Sequence, residues 1–270
     1  MSIKKLTEGP KFKNLAIILA AFPLITTGSL KNPSLALDSG PTPILIEAEV
    51  SLEWNQIKGV YIANGDAIVE QGDKSLKGDE IVVLYNPKSV DREIVQIIAT
   101  GDVVYNDGDR VARGTKIDYV IATETYVLDG PSAIISGLQS TMSAEKKITY
   151  GTSQTAKKQV IGIGNAVYKG KDGRIVEGER VLAVIDATGT IKTVNSNGNA
   201  RVVTPKGIIA VADTLNYVAA TDRAELFGNV EIVEGENVIR GARAEVEFDK
   251  EISRLLSDNS GKRVTGVLKQ

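Results

Sequence analysis

Alternating apolar and polar residues dominate the chain from about residue 44 to residue 250, and helical periodicity is weak throughout. The runs Ile81–Tyr85, Ile94–Ile98 and Val230–Val233 are rich in β-branched residues and are bounded by Gly, Asp and Asn. Such runs are typical of strands separated by turns. The pattern therefore predicts an all-β fold.

A short element, Gly followed by Asp, Asn or Ser and then Ala or Val, recurs at intervals of about 29–36 residues. One copy, Gly130 to Ala133, is one residue longer than the others. A glycine that recurs inside strand patterns indicates a kink or bulge that bends the strand. The copies begin at Gly65, Gly101, Gly130, Gly164, Gly198 and Gly228.

A second element lies between these copies and shares their period. It begins with a small residue, usually followed by an acidic or small polar residue and then by alternating apolar positions. Two elements that interleave at one period predict a repeat protein. The second element begins at Ala48, Gly78, Gly114, Ala144, Gly178, Ala212 and Gly241.

Strand alternation places the apolar residues of every repeat on one face. After the second element, Ile117 and Tyr119 share a face, and Asp118 lies on the other. Two copies, at Leu52/Trp54 and Ile148/Tyr150, are shifted by one residue and require a bulge. A repeat cannot bury such a face alone, so we expect the repeats to stack around a continuous apolar interior.

The first 36 residues have the pattern of a secretory signal peptide. Several lysines precede an apolar run, Leu15–Phe22 with Leu24 and Ile25, and Ser34 and Ala36 are small residues suited to a cut after Ala36. The run is shorter than the roughly 20 residues that cross a bilayer. An uncleaved membrane anchor is the alternative interpretation.

Composition excludes many functions. The chain of 270 residues has 32 Lys+Arg against 34 Asp+Glu, and it contains no Cys and no His. The near-neutral charge gives no footprint for nucleic acid, and thiolate sites, imidazole bases and His- or Cys-based metal sites are excluded. Many enzyme mechanisms are therefore excluded, and we expect no catalytic set of side chains, no metal and no cofactor.

The remaining candidate motifs are incomplete. Asp107-Gly108-Asp109 and Asp172-Gly173 resemble fragments of calcium loops but lack the other oxygen ligands, so they are interpreted as hairpin turns. Gly162-Ile163-Gly164 precedes a strand pattern and not a helix, which argues against a dinucleotide site. The acidic residues alternate regularly on the outward face, as expected for a solvated surface.

The order of the motifs resembles the LptA/OstA family, whose members carry lipopolysaccharide across the periplasm of Gram-negative bacteria. The first repeat, from Ala48-Glu49 through Trp54 to Gly78-Asp79, is similar to the family's first repeat. The closing stretch from Leu226-Phe227-Gly228 to Phe248 has the family's most typical pattern, and the tail Ser253–Leu256 is also similar. The resemblance covers about residues 44–265.

The resemblance implies a β-jellyroll of stacked, bent strands around an apolar groove, spanning residues 44–256 between a short linker (37–43) and a C-terminal tail (257–270). It implies a periplasmic protein whose groove holds the acyl chains of lipid A. The groove residues expected from this resemblance and from the alternation are Leu52, Trp54, Ile62, Val69, Ile81, Val83, Ile97, Val103, Ile117, Tyr119, Leu128, Ile135, Ile148, Tyr150, Tyr168, Val181, Val202, Leu215, Tyr217, Leu226 and Ile232.

The resemblance also implies partners at both sheet edges. The N-terminal edge is expected to meet an LptC-like inner-membrane jellyroll, the C-terminal edge an LptD-like outer-membrane translocon, and copies are expected to associate head to tail. Open edges pair through backbone groups, and neither terminal strand contains Pro. The docking residues expected at these edges are Ile46, Ala48, Val50, Ala244, Val246 and Phe248.

Three alternatives follow from the same residues. Retention of the N-terminal segment would give an inner-membrane anchored, LptC-like subunit of the same system. A secreted β-solenoid enzyme acting on polysaccharide requires converging carboxylates in a cleft, which alternation does not indicate. A purely structural surface repeat protein would lack a continuous apolar interior.

Overall fold

The computed structural model describes residues 43–137, 140–152, 158–186, 190–257 and 263–268, and within them the chain is all-β. The predicted signal peptide lies outside the described residues. Across these described ranges, eighteen strands form one antiparallel sheet, with 3₁₀ turns at Ile121–Thr123 and Ala219–Thr221. The strands are β1 (Leu45–Glu47), β2 (Ser51–Asn55), β3 (Val60–Gln71), β4 (Lys74–Tyr85), β5 (Ile94–Asp107), β6 (Arg110–Val120), β7 (Thr125–Asp129), β8 (Ala133–Gly137), β9 (Ser140–Ala144), β10 (Lys147–Thr152), β11 (Lys158–Lys169), β12 (Ile175–Ile185), β13 (Ile191–Val203), β14 (Ile209–Val218), β15 (Arg223–Glu234), β16 (Asn237–Glu247), β17 (Ile252–Leu256) and β18 (Thr265–Val267).

The sheet is folded lengthwise into two arms. In the first arm, β2 pairs with the start of β3, β7 pairs with both β6 and β10, and β17 pairs with β16. In the second arm, β1 pairs with the end of β3, β8 lies between β6 and β9, and β18 pairs with β16. The long strands β3–β6 and β11–β16 run through both arms, so each of them bends once.

The predicted glycine element forms the bend. Register shifts fall at Asn64/Ala67, Thr100/Val103, Ile163/Ala166, Asn197/Ala200 and Phe227/Val230, and each of them brackets one copy of the element. Gly228 has φ +76 and the next residue, Asn229, has φ +47. Glycine adopts this left-handed region freely, and Asn tolerates it better than most residues. The bend predicted from the repeat is confirmed.

The irregular copies of the repeat are the places where a bent strand is split in two. The second element of the first repeat has one extra residue before Leu52, and β1 ends at Glu47 while β2 begins only at Ser51. The copy before Ile148 is likewise split between β9 and β10, and the longer Gly130 copy separates β7 from β8. The regular strand pairing is interrupted at the bend, and the extra residue is accommodated there. This interruption agrees with the bulges expected at these copies.

Inward residues of successive strands line up in continuous rows. In the first arm, one row passes from Leu52 through Ala63, Ile81, Ala99, Ile117, Leu128, Ile148, Gly162, Val181, Ser196, Leu215, Leu226 and Ala244 to Leu255. In the second arm, a row passes from Ile46 through Val69, Leu76, Tyr105, Ala112, Ile135, Met142, Tyr168, Val176, Val202, Ala210 and Ile232 to Ile239. The two rows face each other and form one hydrophobic core.

One predicted inward residue lies on the other face. Ile62 pairs with Glu53 and Val82, between the inward neighbours Tyr61 and Ala63, and so belongs to the outward row. The prediction that Ile62 faces inward is wrong, because the register of β3 is set by its pairing with the neighbouring strands and by the bend at Gly65.

The expected C-terminal edge is also corrected. Ala244 and Val246 are buried, because Ile252–Leu256 folds back as β17 and covers β16 in the first arm. In the second arm β18 covers β16 in the same way. Phe248 lies beyond the end of β16 and packs against the core, away from either edge. The C-terminal edge strands are therefore β17 and β18, whereas at the N-terminal end β1 and β2 are the edge strands.

The bend at Gly228 gives a test of the repeat. A Cβ at this position would lie 2.1 Å from the Asp213 carboxylate, and Asn229 holds that carboxylate through its amide. We expect Gly228→Ala to lower the free energy of unfolding by about 1–3 kcal/mol, measured by denaturant or thermal melting. Gly235→Ala is the matched control, since Gly235 also has positive φ but no atom lies within 4 Å of its added Cβ. Equal losses in the two variants would show that the contact with Asp213 does not matter.

Candidate functional site: the interior between the arms

The structure places most of the predicted groove residues together between the two arms. Those that are buried in the shared core are Val69, Ile81, Val83, Val103, Ile117, Leu128, Ile148, Tyr168, Val181, Val202, Leu215, Leu226 and Ile232. Those that are half-buried are Ile97, Tyr119, Ile135, Tyr150 and Tyr217. Leu52 and Trp54 face the same way, but they are 52% and 41% exposed because no strand covers β2 on its outer side.

This interior is filled by its own side chains. Between the arms the structure has a cavity of about 80 Å³, lined in part by Met142, Tyr150, Tyr168 and Ala183, with Arg110 at its rim. Small-molecule sites are typically about 300–1,000 Å³. A larger depression of about 820 Å³ near Phe227 lies on the outward face at the C-terminal end and is separate from the interior. A long apolar ligand therefore requires the arms to move apart.

Four tyrosines meet near the open side of the fold. Tyr119 and Tyr126 stack at 4.0 Å, and the second-arm residue Tyr105 packs against Tyr126 at 5.6 Å. Tyr150 packs on the other side of Tyr126 at 5.9 Å. Burial raises the pKa of Tyr105 to about 12, and burial likewise raises the pKa of Tyr126 well above its usual range. These phenols are amphipathic: their rings are apolar, and the Tyr126 hydroxyl contacts those of Tyr105 and Tyr119.

The open side of the fold, where the tips of the two arms meet, is here called the mouth. A charged cluster joins the two tips there. Arg174, at the second-arm tip between β11 and β12, donates from Nη1 to Asp222 Oδ1 at 2.5 Å and from Nη2 to Oδ2 at 3.2 Å. Asp222 ends the 3₁₀ turn at the first-arm tip. Tyr217 Oη accepts a bond from Arg174 at 2.6 Å and donates to Asp222 at 2.9 Å. The guanidinium also lies 4.4 Å from the ring centre of Phe248.

The Arg174 side chain is only 15% exposed, so its charge is largely removed from water. Burial disfavours the charged guanidinium, but the hydrogen bonds that it donates to Asp222 and the nearby negative charges outweigh this, and the pKa of Arg174 is raised. A bidentate pair of an arginine and a carboxylate is the strongest geometry that these groups adopt. No sequence motif marks this cluster, because Arg174 lies 43 or more positions before the other three residues.

Both ends of the stack expose apolar side chains. At the N-terminal end Leu45, Val50, Leu52 and Trp54 are exposed, and Val50 reaches 78%. The exposed apolar residues of the C-terminal end are Ile252, Val264, Val267 and Leu268. Large exposed apolar groups on unpaired edge strands are typical of surfaces that bind another strand.

Residues 45–156 match the family described as "LptA/(LptD N-terminal domain) LPS transport protein". The resemblance found in the sequence is thereby confirmed, and the bends of the matched stretch recur in β11–β16.

A solved structure is also similar to the chain: the "Crystal structure of LptH, the LptA homologous periplasmic component of the conserved lipopolysaccharide transport device from Pseudomonas aeruginosa". The identity is 11%, the match covers 85% of this chain and 96% of that chain, and the TM-score is 0.20, too low to support any conclusion. No curated protein sequence matches the chain.

Across the described ranges, no helix has the length and apolar character needed to cross a membrane, and no three Asp or Glu residues are placed to share a metal ion.

The buried tyrosines predict a loss of stability at alkaline pH. In the folded chain, burial raises the pKa of Tyr105, Tyr168 and Tyr217 from 10.0 to about 12. The unfolded chain therefore loses these protons first, and the free energy of unfolding falls as the pH rises from about 10 to about 12. Denaturant melts across this range, followed by strand circular dichroism and tyrosinate absorbance, should show both signals changing together. Tyr105→Phe should make the decline shallower, and an unchanged slope would contradict the assignment.

Proposed function

We propose that this protein binds lipopolysaccharide through its acyl chains and passes it between membrane components in the periplasm. The observation that carries the proposal is the unbroken apolar interior, which runs through every described strand from β2 to β17 and reaches both open edges. The family match over residues 45–156 supports the same substrate class. In this proposal the protein acts as a carrier and not as an enzyme.

The chemistry of the interior suits acyl chains. The inward rows present aliphatic and small side chains in nearly every position, and the buried polar residue Ser196 is satisfied by the Glu177 carbonyl at 2.6 Å. An acyl chain offers no hydrogen bonds, so it is stabilised by removing apolar area from water, at about 25 cal/mol per Å². Polar headgroups are expected to remain at the mouth, where the tyrosine hydroxyls and Arg174 lie.

The edges suit docking by strand addition. We propose that β1 and β2 meet an LptC-like partner, that β17 and β18 meet an LptD-like partner, and that the same edges allow copies to associate head to tail. Pairing through backbone groups needs an unpaired strand, and the exposed apolar residues beside each edge add area to the contact. The partner at each edge rests on the order of the repeats and on the family, since the structure contains one chain.

The inner-membrane anchored subunit is the second candidate, and N-terminal sequencing of the exported protein separates the two. A chain that begins after Ala36 is the carrier, and a chain that retains residues 15–25 is the anchored form. The direct test of the carrier proposal is whether the purified mature protein contains lipopolysaccharide, or takes it up from micelles. Failure of the folded protein to do either would overturn the proposal.

Neighbouring residues on opposite faces of β6 test where the lipid binds. Tyr119 lies in the inward row and stacks on Tyr126, whereas Asp118 faces outward and accepts a hydrogen bond from Gln96. A photo-reactive phenylalanine analogue at Tyr119 should crosslink to lipopolysaccharide, and the same analogue at Asp118 should not. Equal crosslinking at the two positions would show that the interior is not the binding site.

Proline in β17 tests the C-terminal edge. Neighbouring residues of an edge strand point their N–H groups alternately toward the sheet and toward solvent, so Ser253→Pro and Arg254→Pro remove one donor of each kind. The substitution at the solvent-directed donor should weaken capture of an LptD-like partner while leaving the melting temperature nearly unchanged. The other should lower the melting temperature. Partner capture that survives both substitutions would exclude pairing at β17.

Val246→Thr is the matched control for these variants. Val246 is buried on β16, beneath β17, and therefore lies inside the sheet. Its replacement should lower stability through the buried hydroxyl and leave partner capture by the folded fraction unchanged.

A further inference from the structure

The cluster of Arg174, Tyr217, Asp222 and Phe248, here called the clasp, ties together two segments that belong to different arms. Arg174 lies in the turn after β11, at the tip of the second arm, and Asp222 lies in the turn after β14, at the tip of the first arm. The bidentate contact between them therefore spans the mouth. Its geometry is fixed from two sides, by Tyr217 and by Phe248.

Other contacts also span the mouth, but they hold the arms less firmly. Lys206 and Glu251 form an ion pair whose side chains are 68% and 61% exposed. Exposed pairs of this kind contribute little, because water and salt screen them. Arg110 donates a single hydrogen bond of 3.3 Å to the Tyr150 hydroxyl. The clasp combines burial, two charge-assisted hydrogen bonds and ring stacking, so it is the firmest polar tie across this part of the mouth.

The interior behind the clasp has no room for a long chain. The cavity between the arms near Tyr168 is about 80 Å³, and the inward residues on both sides of it are packed against each other. Closed arms and a long-chain ligand are therefore mutually exclusive in the C-terminal half of the stack. Uptake there requires the tips of the arms to separate, and separation of these tips breaks the clasp.

We propose that the clasp is a latch that keeps the C-terminal half of the interior shut, and that a long-chain amphiphile enters this half only when the Arg174–Asp222 contact is released. The proposal rests on the proposed function for the identity of the ligand. The latch itself is a property of the empty protein. The two can therefore be tested separately.

Asp222 offers a conservative way to open the latch. Its φ is +46, in the left-handed region where Asn is also well tolerated, and it ends a 3₁₀ turn through its backbone N–H. Asp222→Asn keeps the backbone and the size of the side chain but removes the carboxylate charge that pairs with the guanidinium across the mouth. Asp172, 3.4 Å from Arg174 Nη1, belongs to the same tip as Arg174 and does not join the arms. Arg174→Lys is the second variant, since it keeps the positive charge while losing the bidentate geometry and the stacking on Phe248.

Spin labels measure the opening directly. The chain contains no Cys, so Lys171→Cys and Ala220→Cys, both exposed and on opposite tips, introduce a unique label pair. In the ligand-free mature protein, Asp222→Asn and Arg174→Lys should shift the distance distribution to longer and broader values. Lys206→Ala, which breaks the exposed pair instead, should leave it unchanged.

Uptake is measured with a dansylated undecanoic acid, whose fluorescence increases in an apolar site, and in parallel with purified lipopolysaccharide. Loss of a charge-assisted bidentate contact should speed uptake by about ten-fold in Asp222→Asn relative to the parent and to Lys206→Ala. Strand circular dichroism confirms that each variant is folded.

The outcomes separate the two proposals. Label distances and uptake rates in Asp222→Asn and Arg174→Lys that equal those of the parent would overturn the latch. Longer label distances with no uptake of either probe by any variant, the parent included, would support the latch and overturn the proposed function. Longer distances together with faster uptake would support both.

Discussion

The structure depends on one constraint: each repeat presents an apolar face that it cannot bury alone. A single bent strand covers little of its own inward face, and that face is removed from water only when the opposite arm closes over it and neighbouring strands continue it. The rows of inward residues meet this need without interruption from Leu52 to Leu255. Stability is therefore shared along the stack, as expected for repeat proteins.

The bend is the local feature that makes this burial possible. Two consecutive residues with positive φ turn the strand, and an acidic residue of the preceding strand fills the space beside the glycine, as Asp213 does beside Gly228. Small residues such as Ala67, Gly78 and Ala200 line the inner side of the bend, where the arms are closest. The same arrangement explains why the strand is split where the spacing carries an extra residue.

The proposed carrier role requires a protein that is both closed and able to open. The two arms pack against each other tightly enough to bury most of the apolar surface between them. The contacts at the mouth are polar and aromatic, and they include Arg174, Tyr126 and Arg110. Polar contacts at the rim are exchanged for water more easily than core packing, so opening at the mouth disturbs the structure least. The edge strands, in contrast, stay available for pairing in either state.

Local pattern alone determined the all-β class, the bends, and the inward face of most strands, because a period of two and a left-handed glycine are properties of a few neighbouring residues. Tertiary structure decided the rest. Ile62 faces outward because the register is set by pairing across the whole ladder, and Val246 is buried because β17 folds back over it. The contact of Arg174 with Asp222 joins residues 48 positions apart, and it exists only because the two arms meet at their tips. Sequence spacing does not predict this contact, because the contact depends on the bend angles of the strands between the two residues.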